Sequence, residues 1–284
     1  MAFLSYYEQE PMSANAAAYH DHLIGLMAGQ KPGTEVRYGD DPYQSLLVYP
    51  ADQPDGSALV FFHGGGWTNG YKEWMAFMAP ALNAQGITFV TAGYRLAPGH
   101  MFPTAMHDCA AAVNWVGGNA ARLGIDPARI FVGGHSAGGH HAALLAVLGT
   151  QAGLSSPTLI RGCAPVSGVY YFGPESGMAV RPRFLGPVEE RNEAKASPIE
   201  HVQGTVCPFL ISYGSQDFPH LVRQAREMAE RLHMNGTAVQ TLVLPDCDHF
   251  EASYAAGEPG GLWVNTLKAW MTDLSDKESS APAK

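Results

Sequence analysis

The chain has 284 residues, 46% of them hydrophobic, enough to bury the core of one large α/β domain. Its 17 basic and 26 acidic side chains give a formal net charge of −9, and no Lys/Arg run is present to grip a polyanion, which argues against a nucleic-acid partner. No apolar stretch reaches the roughly 18 residues of a membrane span, so no membrane partner is expected either.

Residues 1–12 carry Glu8 and Glu10 and lack a basic start followed by an apolar run, so no signal peptide is read there. A helix is predicted around Ala14–Met27, then a hairpin from Thr34–Tyr38 and Ser45–Tyr49 turning at Gly39-Asp40-Asp41-Pro42. Short apolar runs follow at Ala58–Phe62, Ile87–Ala92, Ile130–Gly133, Gly162–Val166, Phe209–Tyr213 and Val239–Leu244. Between them lie helix-like segments at Trp74–Ala84, Pro103–Leu123, Gly138–Leu148, His220–Asn235 and Gly260–Leu274. Strands apolar on both faces, alternating with helices, predict a mostly parallel sheet of about eight strands covered on both sides. Residues 170–205 break the alternation and read as an insertion or lid, while 276–284 read as a disordered tail, leaving one domain over 1–275. The cysteines Cys109, Cys163, Cys207 and Cys247 are widely spaced without a CxxC pair, as reduced thiols would be, and point to a cytoplasmic protein.

Two motifs carry chemistry. Gly134-His135-Ser136-Ala137-Gly138 is a G-x-S-x-G pentapeptide at a strand-to-helix turn, where glycines let a strained serine stand clear and a helix amino end favours negative charge beside it. An N-capping serine at an ordinary turn is the plain alternative. His63-Gly64-Gly65-Gly66-Trp67 follows the strand Ala58–Phe62, and consecutive glycines let backbone N–H groups approach a developing oxyanion. Neither string has the spacing of a phosphate or dinucleotide loop, and no cofactor is implied.

With Tyr94-Arg95-Leu96-Ala97-Pro98 between them, these motifs resemble the HGGG/HGGxW branch of the α/β-hydrolase superfamily, which includes hormone-sensitive-lipase-like carboxylesterases and kynurenine-formamidase-like enzymes. The resemblance is strong over 58–148 and weaker over 206–250; Trp67 is nearer the formamidase-type signature. It implies an α/β-hydrolase fold, a Ser136 nucleophile, and an oxyanion hole from the N–H groups of Ala137 and of Gly64 or Gly65. In such folds the acid and then the base follow the serine. Asp217 ends the loop after Phe209–Tyr213 and is the candidate acid, with a helix N-cap as its alternative role. The resemblance points to His249 as base; residue chemistry alone leaves His220 and His135 as rivals, and Asp248 as a rival orienter. Trp67, His135 and Tyr170 are the residues expected near the substrate.

His20-Asp21-His22 and His140-His141 invite a metal, but adjacent residues on a helix point about 100° apart and no H-E-x-x-H spacing occurs, so none is expected. The sequence thus reads as a serine hydrolase of a small-molecule ester or arylformamide working through an acyl-enzyme. A hydrolase-fold binding protein without chemistry is the alternative, and a homodimer stays open.

Overall fold

A computed structural model describes residues 6–178 and 182–279, the last four by backbone only. In chain order the elements are α1 (Ala14–Met27), β1 (Thr34–Arg37), β2 (Ser45–Tyr49), β3 (Ala58–Phe62), α2 (Ala79–Asn83), β4 (Thr88–Ala92), α3 (Thr104–Gly118), α4 (Ala120–Leu123), β5 (Ile130–His135), α5 (Ala137–Leu148), β6 (Gly162–Val166), α6 (Asn192–Ala196), β7 (Phe209–Gly214), α7 (Pro219–Met234), β8 (Val239–Leu244), α8 (His249–Ala255) and α9 (Leu262–Ser279).

The eight strands form one sheet in the order β1-β2-β4-β3-β5-β6-β7-β8. Only the β1–β2 and β2–β4 pairings are antiparallel; the hairpin is where the sequence put it. Why the central strand β3 is apolar throughout follows from its packing. Ala58, Val60 and Phe62 pack into one hydrophobic cluster and Leu59 and Phe61 into the cluster on the opposite face. Side chains alternate across a pleated sheet, so a sheet covered twice needs both sets apolar. Edge strand β8, covered less, is half exposed along its length.

Three boundaries differ from expectation. The helix predicted over Trp74–Ala84 is a 3-10 segment, Lys72–Met78, followed by the short α2, whose second residue is Pro80. Pro lacks an N–H and is tolerated only in a first helical turn, so it starts α2 instead of sitting inside a longer helix. The Pro103–Leu123 helix divides at Asn119, after the poor helix formers Gly117 and Gly118. The tail expected from 276 is helical as far as Ser279, and 280–284 lie outside the described residues.

The Tyr94–Pro98 element is pinned to this frame by a buried carboxylate. Asp108 on α3 accepts from Arg95 Nε at 2.8 Å and Nη2 at 2.7 Å, from the Arg95 backbone N–H at 3.0 Å, and from Gln44 Nε2 at 2.8 Å. The Asp108 side chain is 3% exposed and that of Arg95 27%. Breaking a fully buried pair costs about 3–5 kcal/mol. With Arg95 partly solvated, Asp108→Ala is expected to lower the unfolding free energy by about 2–3 kcal/mol in urea titration. His107→Ala, one residue away but exposed, should change it by less than about 0.5 kcal/mol.

Candidate active site

The motif residues come together at the carboxyl edge of the parallel strands. Ser136 follows β5, His63–Trp67 follow β3, Asp217 follows β7, and His249 follows β8. Ser136 occupies the single-residue junction between β5 and α5, with φ +55° and ψ −116°. Non-glycine residues seldom adopt such a conformation, and it is retained only where the surroundings enforce it. Its N–H donates to Val166 O at 3.0 Å, and its carbonyl accepts from His140 N at 3.0 Å. The flanking glycines are steric necessities: a Cβ on Gly134 would collide with the Gly138 backbone, and one on Gly138 with the Phe62 carbonyl.

The Ser136 hydroxyl lies 3.0 Å from His249 Nε2 and donates to it when that nitrogen is unprotonated. Nδ1 of the same ring donates to Asp217 Oδ1 at 2.9 Å. Asp217 is 5% exposed and His249 7%, while Ser136 is half-buried. Burial alone would raise the Asp217 pKa. The hydrogen bond and charge of His249, the neighbouring Ser167 hydroxyl and the Phe218 N–H outweigh it, and the net pKa lies below the usual carboxylate value. Hydroxyl, imidazole and carboxylate chained in this order can move a proton off the serine while the carboxylate steadies the imidazolium.

Of the rivals, His220 stacks on Phe218, with ring centroids 5.8 Å apart and planes at 13°. The Asp248 carboxylate caps α8, accepting from Phe250 N and Glu251 N at 2.8 Å each, while Glu251 Oε2 accepts from Asp248 N. This reciprocal cap starts α8, which is not among the helices expected from the sequence. Its D-x-x-E signal stands in the sequence at Asp248-His249-Phe250-Glu251.

The glycine loop abuts the serine. A Cβ on Gly64 would fall 3.2 Å from Ser136 Cβ and 3.0 Å from His135 Nδ1. Behind it, His63 stacks on Tyr94 at 4.3 Å, the Tyr94 hydroxyl donates to His63 O at 2.8 Å, and Ala97 N donates to Trp67 O at 3.0 Å. The Tyr94–Pro98 motif is therefore a brace for the glycine loop.

The residues expected near the substrate are all buried: Trp67 and His135 at 2% exposed, Tyr170 at 0%. The Trp67 indole donates to His140 Nδ1 at 3.0 Å and stacks on Phe184 at 4.6 Å. The His135 ring faces inward, and its Nε2 donates to the His249 carbonyl at 2.8 Å, so it supports the imidazole's loop and does not line an open wall. Tyr170 is anchored by its N–H to Gln224 Oε1 at 2.8 Å, and its ring lies in the core. A groove of about 460 Å³ opens beside His249, bordered by Tyr19, Phe218, Phe250 and Tyr254. A larger one of about 790 Å³, lined by Gln30, Tyr49, Asn83 and Gln85 among others, touches none of the motif residues.

Four further histidines lie buried around the serine and its glycine loop. Burial lowers the pKa of His63 and His140 to about 4 and of His135 to about 3, and holds His141 well below 6.5. Among the described residues, neither ring nitrogen of His141 has a hydrogen-bond partner. Among the described residues no His, Cys, Asp or Glu group is arranged to hold a metal, and no helix is long and apolar enough to cross a membrane. All four cysteines are free.

Residues 59–252 match the family model described as the alpha/beta hydrolase fold. Among curated relatives, esterase LipC of Mycobacterium tuberculosis is 34% identical over 236 residues, 75% of this chain and 58% of that protein. Ethyl acetate hydrolase of Pseudomonas putida is 31% identical over 218 residues, 70% of this chain and 68% of that one. The chain thus spans less than two thirds of the length of LipC. An esterase structure from Pyrobaculum calidifontis shares the fold, with a TM-score of 0.76, 23% identity, and 91% and 92% of the two chains covered.

The buried imidazoles make the fold acid-sensitive. An unfolded histidine takes a proton near pH 6.5, whereas burial lowers the folded-state pKa of His63 and His140 to about 4 and that of His141 well below 6.5. The unfolded chain therefore binds more protons below pH 6.5. Stability is full above that pH and falls as pH drops from 6.5 towards 4, by at most about 1.4 kcal/mol per pH unit for each histidine. Thermal melts across pH 4–8 are expected to show this fall, and His141→Leu should raise Tm more at pH 5 than at pH 8.

Proposed function

The chain belongs to the alpha/beta hydrolase fold family, and on that premise we propose that it is a carboxylesterase working through an acyl-Ser136 intermediate. The observation that carries the proposal is the unbroken hydrogen-bonded chain from Ser136 through His249 to Asp217. His249 takes the serine proton as Oγ attacks the ester carbonyl and returns it to the departing alcohol. Water then repeats the sequence on the acyl-enzyme. Asp217 fixes the imidazole with Nδ1 protonated and stabilises its cation. The tetrahedral oxyanion lies between the Ala137 N–H, at the amino end of α5, and the Gly64 or Gly65 N–H, each donor contributing about 10²–10³ in rate.

Two observations favour an ester with a short acyl group. The matched relatives carry esterase and ethyl acetate hydrolase names, which favours an ester over the formamide suggested by Trp67. One helical turn behind Ser136, moreover, the space is filled by Trp67, His140, Phe172 and Phe184 in mutual ring contact. The leaving group, protonated by His249, departs on the side of the groove at Phe218 and Phe250.

Fluorophosphonate should label Ser136, and Ser136→Ala should lower p-nitrophenyl acetate hydrolysis by at least about 10⁴-fold. No labelling of the folded protein would remove the proposal. Across p-nitrophenyl esters, acetate should exceed octanoate in kcat/KM by about tenfold or more, and Phe184→Ala should narrow the gap. A tenfold preference for N-formylkynurenine over the esters would move the assignment to the formamide.

A further inference from the structure

We propose that Gln9, far from every motif in sequence, is a positioning residue for the oxyanion loop; the inference rests on the esterase reading above. Residues 6–10 meet the segment that backs Gly64 and Gly65 through Gln9 and Glu10. The Gln9 amide grips both polar atoms of one peptide residue: Oε1 accepts from Gly70 N at 2.9 Å, and Nε2 donates to Gly70 O at 2.9 Å. The same Nε2 donates to the Tyr43 hydroxyl at 2.7 Å, while the Gly70 N–H, which can only donate, and its carbonyl, which can only accept, fix the orientation of the amide. Next to it, Asn69 Nδ2 donates to Glu10 O.

Gly70 is where such a grip acts on the oxyanion donors. A Cβ on Gly70 would fall within 3 Å of the His63 ring and collide with the Gly64 carbonyl, and one on Gly65 would collide with the Asn69 carbonyl. Asn69 N in turn donates to Gly65 O at 2.9 Å. Residues 69 and 70 are thus the floor on which the glycine backbone rests, and both hang from the 6–10 segment. A donor displaced by a fraction of an ångström loses much of its stabilisation of a developing charge, so holding this floor is a matter of rate as well as fold.

The segment is itself anchored. The Tyr6 hydroxyl accepts from Lys72 Nζ at 2.6 Å and donates to Glu73 at 2.9 Å. The buried Lys72 ammonium also pairs with Glu73 at 2.9 Å and with Glu35 at 3.0 Å. Gln9 therefore presses from a fixed base.

The test compares wild type, Gln9→Ala and Gln9→Glu with p-nitrophenyl acetate and with a trifluoromethyl ketone, whose hemiketal with Ser136 carries the oxyanion. The expected result is a fall in kcat of about tenfold for Gln9→Ala with KM within twofold, below the loss of a whole donor. Ketone affinity should fall by a matching factor, and the pH profile should stay unmoved, since the His249–Asp217 pair is untouched. Gln9→Glu keeps the size and the acceptor for Gly70 N–H but turns a carboxylate on the Gly70 carbonyl; it should fall at least as far, and it carries the test if the alanine variant fails to fold. Unchanged kcat in these variants, or a fall in kcat without a fall in ketone affinity, overturns the inference. Inactive wild-type protein would instead overturn the esterase reading.

Discussion

The structure turns on one junction: β5 must become α5 within a single residue, in the middle of the sheet. Strand β5 lies between β3 and β6, so the reversal happens where backbone crowds it from both sides. The Gly134–Gly138 contact and the approach of Gly138 to Phe62 leave no room for Cβ atoms, and Ser136 between them takes a positive φ. Such strain costs of the order of 1–3 kcal/mol. It is sustained because the strand feeding it, with Ile130, Phe131 and Val132 at 0% exposed, is buried on both faces and cannot relax without opening the core. The reward of the geometry is a hydroxyl thrust away from the backbone towards the ends of β7 and β8, where a carboxylate and an imidazole arrive from separate loops.

The same crowding explains the layer of neutral histidines. Three of them, His63, His135 and His140, supply a shape and a directional hydrogen bond instead of a charge. His63 stacks under Tyr94, His135 holds the His249 carbonyl, and His140 bridges the Trp67 indole and the Ala196 carbonyl. A phenylalanine could fill these volumes but could not hold the polar backbone atoms that a tight turn leaves behind. The lowered pKa values favour neutral rings in this scaffold, and His249 is the imidazole in contact with the Ser136 hydroxyl.

Much of this was legible in the sequence, and for identifiable reasons. Doubly apolar strands betray a sheet covered twice, so all eight strands could be placed within a residue or two. Ser136 and the Gly64–Gly66 string stand in local patterns forced by steric limits, and local patterns are what a sequence displays. Asp217 and His249 were harder, because their roles depend on two loops meeting in space; only the resemblance singled out His249 from twelve histidines. The α8 helix was missed although its capping box was present, since seven residues between a strand and a longer helix give little periodicity to read. The inward turn of His135 and the burial of Tyr170 had no signal, because a histidine or tyrosine facing a core looks in sequence like one facing a pocket.

Besides the Tyr94–Pro98 brace, two segments outside the motifs hold the glycine loop. At Trp67, itself at φ +64°, the loop is closed by Phe184 and Phe172 from the 170–205 insertion; at Gly70 it is closed by Gln9 from the 6–10 segment. The motif residues set what reaction is available, because hydroxyl, imidazole and backbone donors admit little variation in type or spacing. In the proposed mechanism, the space for an acyl group and the placing of the donors fall to the partners at either end of the loop, which need only supply a ring face or an amide and can come from anywhere in the chain. The central strands therefore position the Ser136 hydroxyl and its partners, and the peripheral segments pack against the glycine stretch beside them.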